Sequence, residues 1–315
     1  MKLKSELETT GAKLFAVIVT YNGLRWIDRC LSSLQNTNGS IHSVVIDNGS
    51  TDGTVEAVQA RFPEVELVRS ERNLGFGQAN NIGLRMALER NADHVFLLNQ
   101  DAWVTPSTIG QLVRHAERDP RYGVLSPMHR NGAGDALELD FSTYIVPGKC
   151  PDLYSDIALD RLRDQTYPVE FVNAAAWLIS RKCLTTVGGF SPSFFHYAED
   201  DNYVDRMRYH KLLVGIVPTT WVHHDRVHNS ENPFFTDPKA LSVRRAALKY
   251  SDPASHTSPK AEVRVLRSTM VRCLLSGQRA AYQVARRQAA VLGTLSSDDL
   301  TKCRDASRAT GATFL

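Results

Sequence analysis

The 315-residue chain has no apolar run approaching the ~20 residues needed to cross a bilayer; apolar stretches such as residues 14–20 and 94–99 fall far short of it. No spanning segment is expected. Residues 1–10 mix Lys2 and Lys4 with Glu6 and Glu8 and lack an apolar h-region. No secretory leader is therefore expected, and the cytoplasm is the default location. Cysteine is scarce. Cys30, Cys150, Cys183, Cys273 and Cys303 are odd in number, scattered and without a C-x-x-C pair. That pattern fits neither a disulfide framework nor a zinc site, and leaves reduced, mostly buried thiols. With 13 prolines and 19 glycines the chain has no collagen-like or low-complexity tract, and no internal repeat or full G-x-G-x-x-G is visible. Negative charge is nearly missing from one region. Residues 239–292 hold eleven Lys/Arg against Asp252 and Glu262, a surplus of nine that leaves the rest of the +3 chain at −6.

What is present is an alternation of strand and helix. Residues 14–20 read as a doubly buried strand, and residues 24–34, with Leu24, Ile27, Leu31 and Leu34 in register, as a helix. Strand 43–47 and helix 51–61, opened by capping residues, repeat the unit. Strand 65–68 and helix 79–89 follow, then strand 94–98. This spacing predicts βαβ units, a parallel sheet and ligands at the carboxyl ends of its strands. Residues 105–117 read as a further helix. Residues 128–166, rich in Gly, Asp and Pro, read as a long loop or small excursion. A helix is expected at 199–209, and strands at 212–217 and 220–222. After Asn232 and Pro233 the composition turns to Ala, Arg and Leu, with Val263, Leu266, Met270, Leu274, Ala281 and Val284 on one stripe. A helical C-terminal region is expected, with the last ~20 residues loose.

The polar clusters fall at strand ends. Thr20, Tyr21 and Asn22 close the first strand; Asp47 and Asn48 close the second, within a run through Thr54 that also reads as turn and cap. Together they could hold a flat heterocycle, Tyr21 stacking and Asp47 or Asn48 accepting from an imide N–H. Residues 73–81 are rich in glycine and amides, which can bring backbone close to a nucleotide or sugar, but the pattern argues against a dinucleotide site. Asp101, just past the fourth strand, is placed to ligate a hard divalent cation. Glu199, Asp200 and Asp201 at a helix start could be capping acids. Alternatively, like-charge crowding and the aromatics before them raise one carboxyl pKa and make a base. His223 and His224 lie on a strand end and so face opposite sides, with His228 nearby.

The series Thr20-Tyr21-Asn22, Asp47 to Thr54, Asn73 to Asn81 and Asn99-Gln100-Asp101 closely resembles family 2 glycosyltransferases, in order and spacing, over residues 15–230. The nearest likeness is to their rhamnosyltransferase-like branch. The resemblance implies a GT-A fold: a Rossmann-like, mostly parallel α/β sheet flanked by helices, with the C-terminal helices appended. It implies a glycosyltransferase domain over 1–235, its nucleotide-sugar half about 12–125 and its acceptor half about 126–235, followed by a basic helical region over 236–315. It implies an inverting enzyme with Asp200 as base, Glu199 beside it and Asp201 as the alternative base. Thr20, Tyr21, Asn22, Asp47 and Asn48 would hold the nucleoside, and Asn73, Gly77 and Asn81 the donor-pocket wall. Asn99 stands where the family's D-x-D motif has its first acid; Asp101 keeps the second. Mg2+ or Mn2+ would bind through Asp101 and a histidine, His223 being favoured over His224. Trp177, Phe195 and Tyr197 are acceptor-side candidates.

The implied donor is dTDP-L-rhamnose, with UDP-galactofuranose, UDP-GlcNAc and UDP-glucose open. The implied acceptor is a lipid-linked surface polysaccharide at the inner leaflet, with the basic segment 239–292 a possible contact for an anionic membrane. Against two rivals, Arg25 alone follows the first strand where a pyrophosphorylase needs a basic Gly-rich loop, and joint retention of Asp101, Glu199, Asp200 and His223 argues against a non-catalytic glycan-binding scaffold. No nucleic-acid-binding pattern appears.

Overall fold

The computed structural model describes residues 11–226 and 237–315; His228, Asn232, Pro233 and the expected boundary at 235/236 lie outside the described residues. Strand β1 (Leu14–Thr20) is buried along its length. Its alternation sends Leu14, Ala16 and Ile18 into one apolar layer and Phe15 and Val17 into the other. It lies parallel between β2 (His42–Asp47) and β4 (His94–Asn99), with β3 (Glu66–Arg69) at the edge. The connections are α1 (Leu24–Gln35), α2 (Thr54–Arg61) and α3 (Phe76–Glu89). Ile27, Leu31 and Val58 of α1 and α2 join Ile18 on one face, while Ala79, Leu84 and Ala87 of α3 join Val17 on the other. Gly83 permits that approach: a Cβ there would stand 2.4 Å from Val17 Cγ1.

Beyond β4 the sheet stops being parallel. The remaining strands are β5 (Ala102–Val104), β6 (Tyr122–Asn131), β7 (Tyr167–Val169), β8 (Ala176–Ser180) and β9 (Leu213–His224). The order is β3-β2-β1-β4-β8-β6-β9-β5, with β7 also on β9. Strand β8 runs antiparallel to both β4 and β6, and β9 parallel to β6 but antiparallel to β5 and β7. The two strands expected at 212–217 and 220–222 are one. Val217 pairs with Pro127 and Trp221 with Met128, and this register shift absorbs the intervening residues. Helix α4 (Thr108–Arg118) packs beneath β6 and β9.

The expected loop at 128–166 carries the end of β6, α5 (Leu139–Ser142) and α6 (Pro151–Ala158). Phe141 and Leu153 are fully buried and tie these turns to the core. Glu138 caps α5, its carboxylate accepting from the Asp140 and Phe141 N–H groups. Helices this short do not reveal themselves by period. Helix α7 (Arg181–Thr186) follows β8, and α8 (Glu199–Tyr209) has the expected bounds.

The C-terminal region is helical: α9 (Pro238–Ser251), α10 (Pro259–Leu275), α11 (Arg279–Gly293) and α12 (Ser297–Arg308). The expected single stripe is broken after Leu275, so its members sit on two helices packed side by side. Nor is the end loose. Gly311 N–H donates to Thr186 O, Gly189 N–H to Thr313 O (2.8 Å), and Leu315 packs against the main core. All five cysteines are free thiols, four of them buried.

Candidate active site

The carboxyl ends of β1, β2 and β4 carry the first polar cluster, and its side chains are largely bonded to one another. Thr20 Oγ1 donates to Asp47 Oδ1 at 2.9 Å, while Asp47 Oδ2 accepts from Gly49 and Ser50 N–H. Asn48 Nδ2 donates to Asn73 Oδ1, and Asn48 Oδ1 accepts from Leu74 N–H. Asn22, at a positive φ of 49°, accepts from Thr51 N–H. Asp47, Asn48 and Asn73 thus lock the strand-end loops together, and the Tyr21 ring is left exposed.

Two expected donor-wall residues do structural work instead. Asn81 is buried, donating to Phe190 O and accepting from Phe190 N–H, so it staples α3 to the 190 loop rather than facing a pocket. Gly77 lies so close to Phe190 that a Cβ would stand 2.8 Å from Phe190 Cβ. Trp177 is likewise displaced from its expected acceptor role: it is fully buried between Phe190 and Tyr203. Phe195 is exposed, and Tyr197 lines the cleft described next.

That cleft, of about 750 Å³, opens beside these loops. Asn99, Asp101 and His224 occupy one part, Glu199, Asp200 and Asp201 another. His224 Nε2 lies 3.4 Å from Asp101 Oδ1, and His224 is buried. His223 points the other way and stacks on Trp103, with ring centroids 5.5 Å apart. Of the two histidines it is His224, and not the favoured His223, that adjoins Asp101. Pairing of Ala102 with His224 and Trp103 with His223 fixes which ring reaches Asp101. Burial alone would raise the Asp101 pKa, but the adjacent His224 imidazole holds it below the ordinary value. Behind His224, buried His129 meets it edge-on and bonds Ser126 Oγ at 2.9 Å.

The acidic cluster is delivered by a strained turn. Tyr197 and Ala198 both adopt positive φ, 65° and 75°, immediately before α8. Two consecutive left-handed non-glycine residues cost energy and persist where surrounding packing enforces them. Gly75, at φ +81°, receives this loop; a Cβ there would stand 2.0 Å from Phe195 O. Glu199 is buried with Oε2 unpartnered, and burial plus the Asp200 charge push its pKa up to about 8. Burial raises Asp200 against backbone donors from Asp201 and Ala174. Asp201 is pushed to about 6 by burial and the Asp200 charge. A cluster of this kind cannot carry its full negative charge at neutral pH, which suits it to proton transfer.

Residues 15–184, more than half of the chain, match the family described as "Glycosyl transferase family 2". The chain belongs to this family. A 241-residue stretch is 30% identical to an N-acetylglucosaminyl-diphospho-decaprenol L-rhamnosyltransferase of Mycobacterium tuberculosis, covering 68% of this chain and 76% of that protein. A 103-residue stretch is 33% identical to a dTDP-rhamnosyl transferase of Shigella flexneri, covering 32% and 34%. The fold resembles a mannosyltransferase of Pyrobaculum calidifontis solved with GDP-Man and Mn2+ (TM-score 0.54, 18% identity, 93% and 84% covered). It also resembles TarS of S. aureus solved with UDP (TM-score 0.54, 14% identity, 90% of each chain). This family 2 glycosyltransferase therefore has the GT-A fold of a mixed sheet flanked by helices.

Several cleft residues of the transferase were invisible to sequence reasoning. Trp26 lines the cleft and donates its indole N–H to Asp225 Oδ2 at 2.8 Å. Asp140 and Tyr144 come from the supposed loop, and Asp140 pairs with Arg226. Most unexpectedly, α9 of the C-terminal region closes one wall with Leu241, Arg244, Arg245 and Leu248. Their i, i+3, i+4, i+7 spacing was the only available signal, and it says nothing of where the helix docks. The Arg244 charge pulls the Glu199 and Asp201 pKa values back down against burial.

Proposed function

We propose that this glycosyltransferase inverts configuration while moving L-rhamnose from dTDP-rhamnose to a hydroxyl of a growing lipid-linked cell-surface polysaccharide. The observation that carries the reading is a single cleft faced by both Asp200 and the Asp101–His224 pair. Rhamnose and a lipid diphosphate acceptor are supported by the names of the mycobacterial and Shigella relatives. UDP-galactofuranose, UDP-GlcNAc and UDP-glucose are the alternative donors.

On this reading Asp200 takes the proton of an acceptor hydroxyl, whose oxygen attacks the anomeric carbon from the face opposite the diphosphate. Burial raises the pKa of that base, backbone donors and the Arg226 charge draw it back, and Arg244 limits the cost of holding Glu199 and Asp201 beside it. Thr20, Asn22, Asp47, Asn48 and Asn73 shape the loops that receive the nucleoside, with Tyr21 free to stack on the base.

The residues fit a divalent cation. Asp101 offers a hard oxygen, and buried His224 has an unpartnered Nδ1 besides the Nε2 facing Asp101. No group of three or more His, Cys, Asp or Glu able to hold an ion occurs among the described residues. Two protein ligands suit Mg2+ or Mn2+ arriving with the diphosphate oxygens that complete its shell. Such an ion, when bound, supplies positive charge to the departing diphosphate.

The acceptor class puts the enzyme at the inner face of the cytoplasmic membrane, with contact through residues 239–292. Sugar transfer from dTDP-rhamnose and from UDP-sugars to a lipid-linked N-acetylglucosaminyl diphosphate, with product anomer read by NMR, tests the proposal. An inverted rhamnoside is expected. Retained configuration, or no transfer from any nucleotide sugar, overturns it; transfer from a UDP-sugar alone overturns the donor assignment.

A further inference from the structure

The C-terminal helices divide into a packed base and a bare tip. At the base, Val263 and Leu266 of α10 and Leu292 of α11 pack with Ala247 and Tyr250 of α9 and with Phe194 and Ala198 before the acidic helix. Val265 is already 61% exposed on the outer side of α10, and toward the tip the exposed apolar residues gather. Val271 is 57% exposed, Leu274 62%, Leu275 85% and, on α11, Val284 55%. At 1.5 Å per residue, Leu275 stands about 14 Å along α10 from Leu266. Val271, Leu274 and Leu275 are spaced i, i+3, i+4 and so share the last turn. Single exposed apolar residues are ordinary, whereas three on one turn of a projecting hairpin mark a contact surface.

The charge along that hairpin identifies the contact. Between Glu262 and Asp298 the sequence has no carboxylate, yet it holds Arg264, Arg267, Arg272, Arg279, Arg286 and Arg287. All six are exposed. A second copy docking tip to tip would set its own Arg272 and Arg279 against these, and a nucleic acid would leave the leucines idle. An anionic lipid leaflet takes both: headgroups for the arginines, acyl boundary for the apolar turn. No helix among the described residues is long and apolar enough to cross a membrane.

We propose that the α10–α11 hairpin seats on an anionic phospholipid surface, with Val271, Leu274 and Leu275 entering the acyl boundary, Arg272 and Arg279 beside them and the other four arginines farther along the hairpin. The base of the hairpin packs on α9, which is also a wall of the catalytic cleft. A seated tip therefore holds the cleft at a fixed distance from the leaflet. This deepens the lipid-linked acceptor reading and rests on it for its purpose.

Flotation of the full chain with phosphatidylcholine vesicles, with and without phosphatidylglycerol, tests the seat. Wild type should bind the anionic vesicles at least tenfold better, each basic residue contributing about fivefold. The paired change Leu274→Ser and Leu275→Ser should lose at least tenfold at any salt. The pair Arg272→Ser and Arg279→Ser should lose binding mainly at ~0.1 M salt, where screening is incomplete. These positions are exposed, so circular dichroism and dTDP binding by the variants should match wild type. Equal binding to neutral vesicles, wild-type binding by the leucine pair, or a dimer dissolved by that pair would each overturn the proposal. Vesicle binding without sugar transfer sinks the catalytic reading alone; transfer without vesicle binding sinks the hairpin alone.

Discussion

His224 Nε2 lies 3.4 Å from Asp101 Oδ1, while the neighbouring His223 ring stacks on Trp103 on the opposite side of the same strand. Strand geometry makes the two histidines exclusive alternatives. His224→Ala should therefore weaken Mn2+-dependent dTDP binding at least tenfold, and His223→Ala by less than twofold, in calorimetric titrations. Equal losses would remove His224 from the proposed cation site.

Asp200 faces the cleft within a carboxyl cluster whose neighbours are pushed up to about 8 and about 6. Asp200→Asn keeps the shape and removes the proposed proton acceptor. Turnover should fall by about 10²–10⁴ with dTDP binding unchanged. Near-normal turnover in this variant would transfer the role of base to Asp201, which Asp201→Asn would then expose.

The raised Glu199 pKa has a defined consequence for stability. The folded state holds this proton up to about pH 8, the unfolded chain only to its ordinary value of 4.5. The favourable contribution is complete below pH 4.5 and is lost as pH rises through 8. Chemical denaturation of wild type should thus weaken across that window, and Glu199→Gln should flatten the trend. An unchanged pH profile in the variant would show that Glu199 is not the responsible group.

Arg206 is completely buried and donates to Gly189 O (2.5 Å) and to Val187 O, with the Phe314 ring 4.8 Å from its guanidinium carbon. Phe314→Ala opens that cation to solvent and removes the tail's anchor. A loss of about 1–3 kcal/mol is expected in denaturant midpoint analysis. A loss within error would show that the tail is docked by its backbone bonds and Leu315 without help from the Phe314 ring.

The amino-acid sequence by itself determined the βαβ half, the polar strand ends and helix α8, because hydrophobic period and capping chemistry are local. It also carried the acids Asp101, Glu199 and Asp200 in readable motifs. Tertiary structure decided the rest. Whether His223 or His224 reaches Asp101 depends on how β9 registers against β5, a long-range pairing that no local pattern encodes. Asn81 and Trp177 carry residue types suited to a pocket, yet close packing around Phe190 consumes both. Helix α9 reads as part of a separate basic region, and only its docking through Ala247 and Tyr250 against Phe194 and Ala198 makes Arg244 a wall of the cleft. The physical reason is common to all three: side-chain chemistry is written residue by residue, but the partner it meets is chosen by burial of apolar surface between segments far apart in the chain.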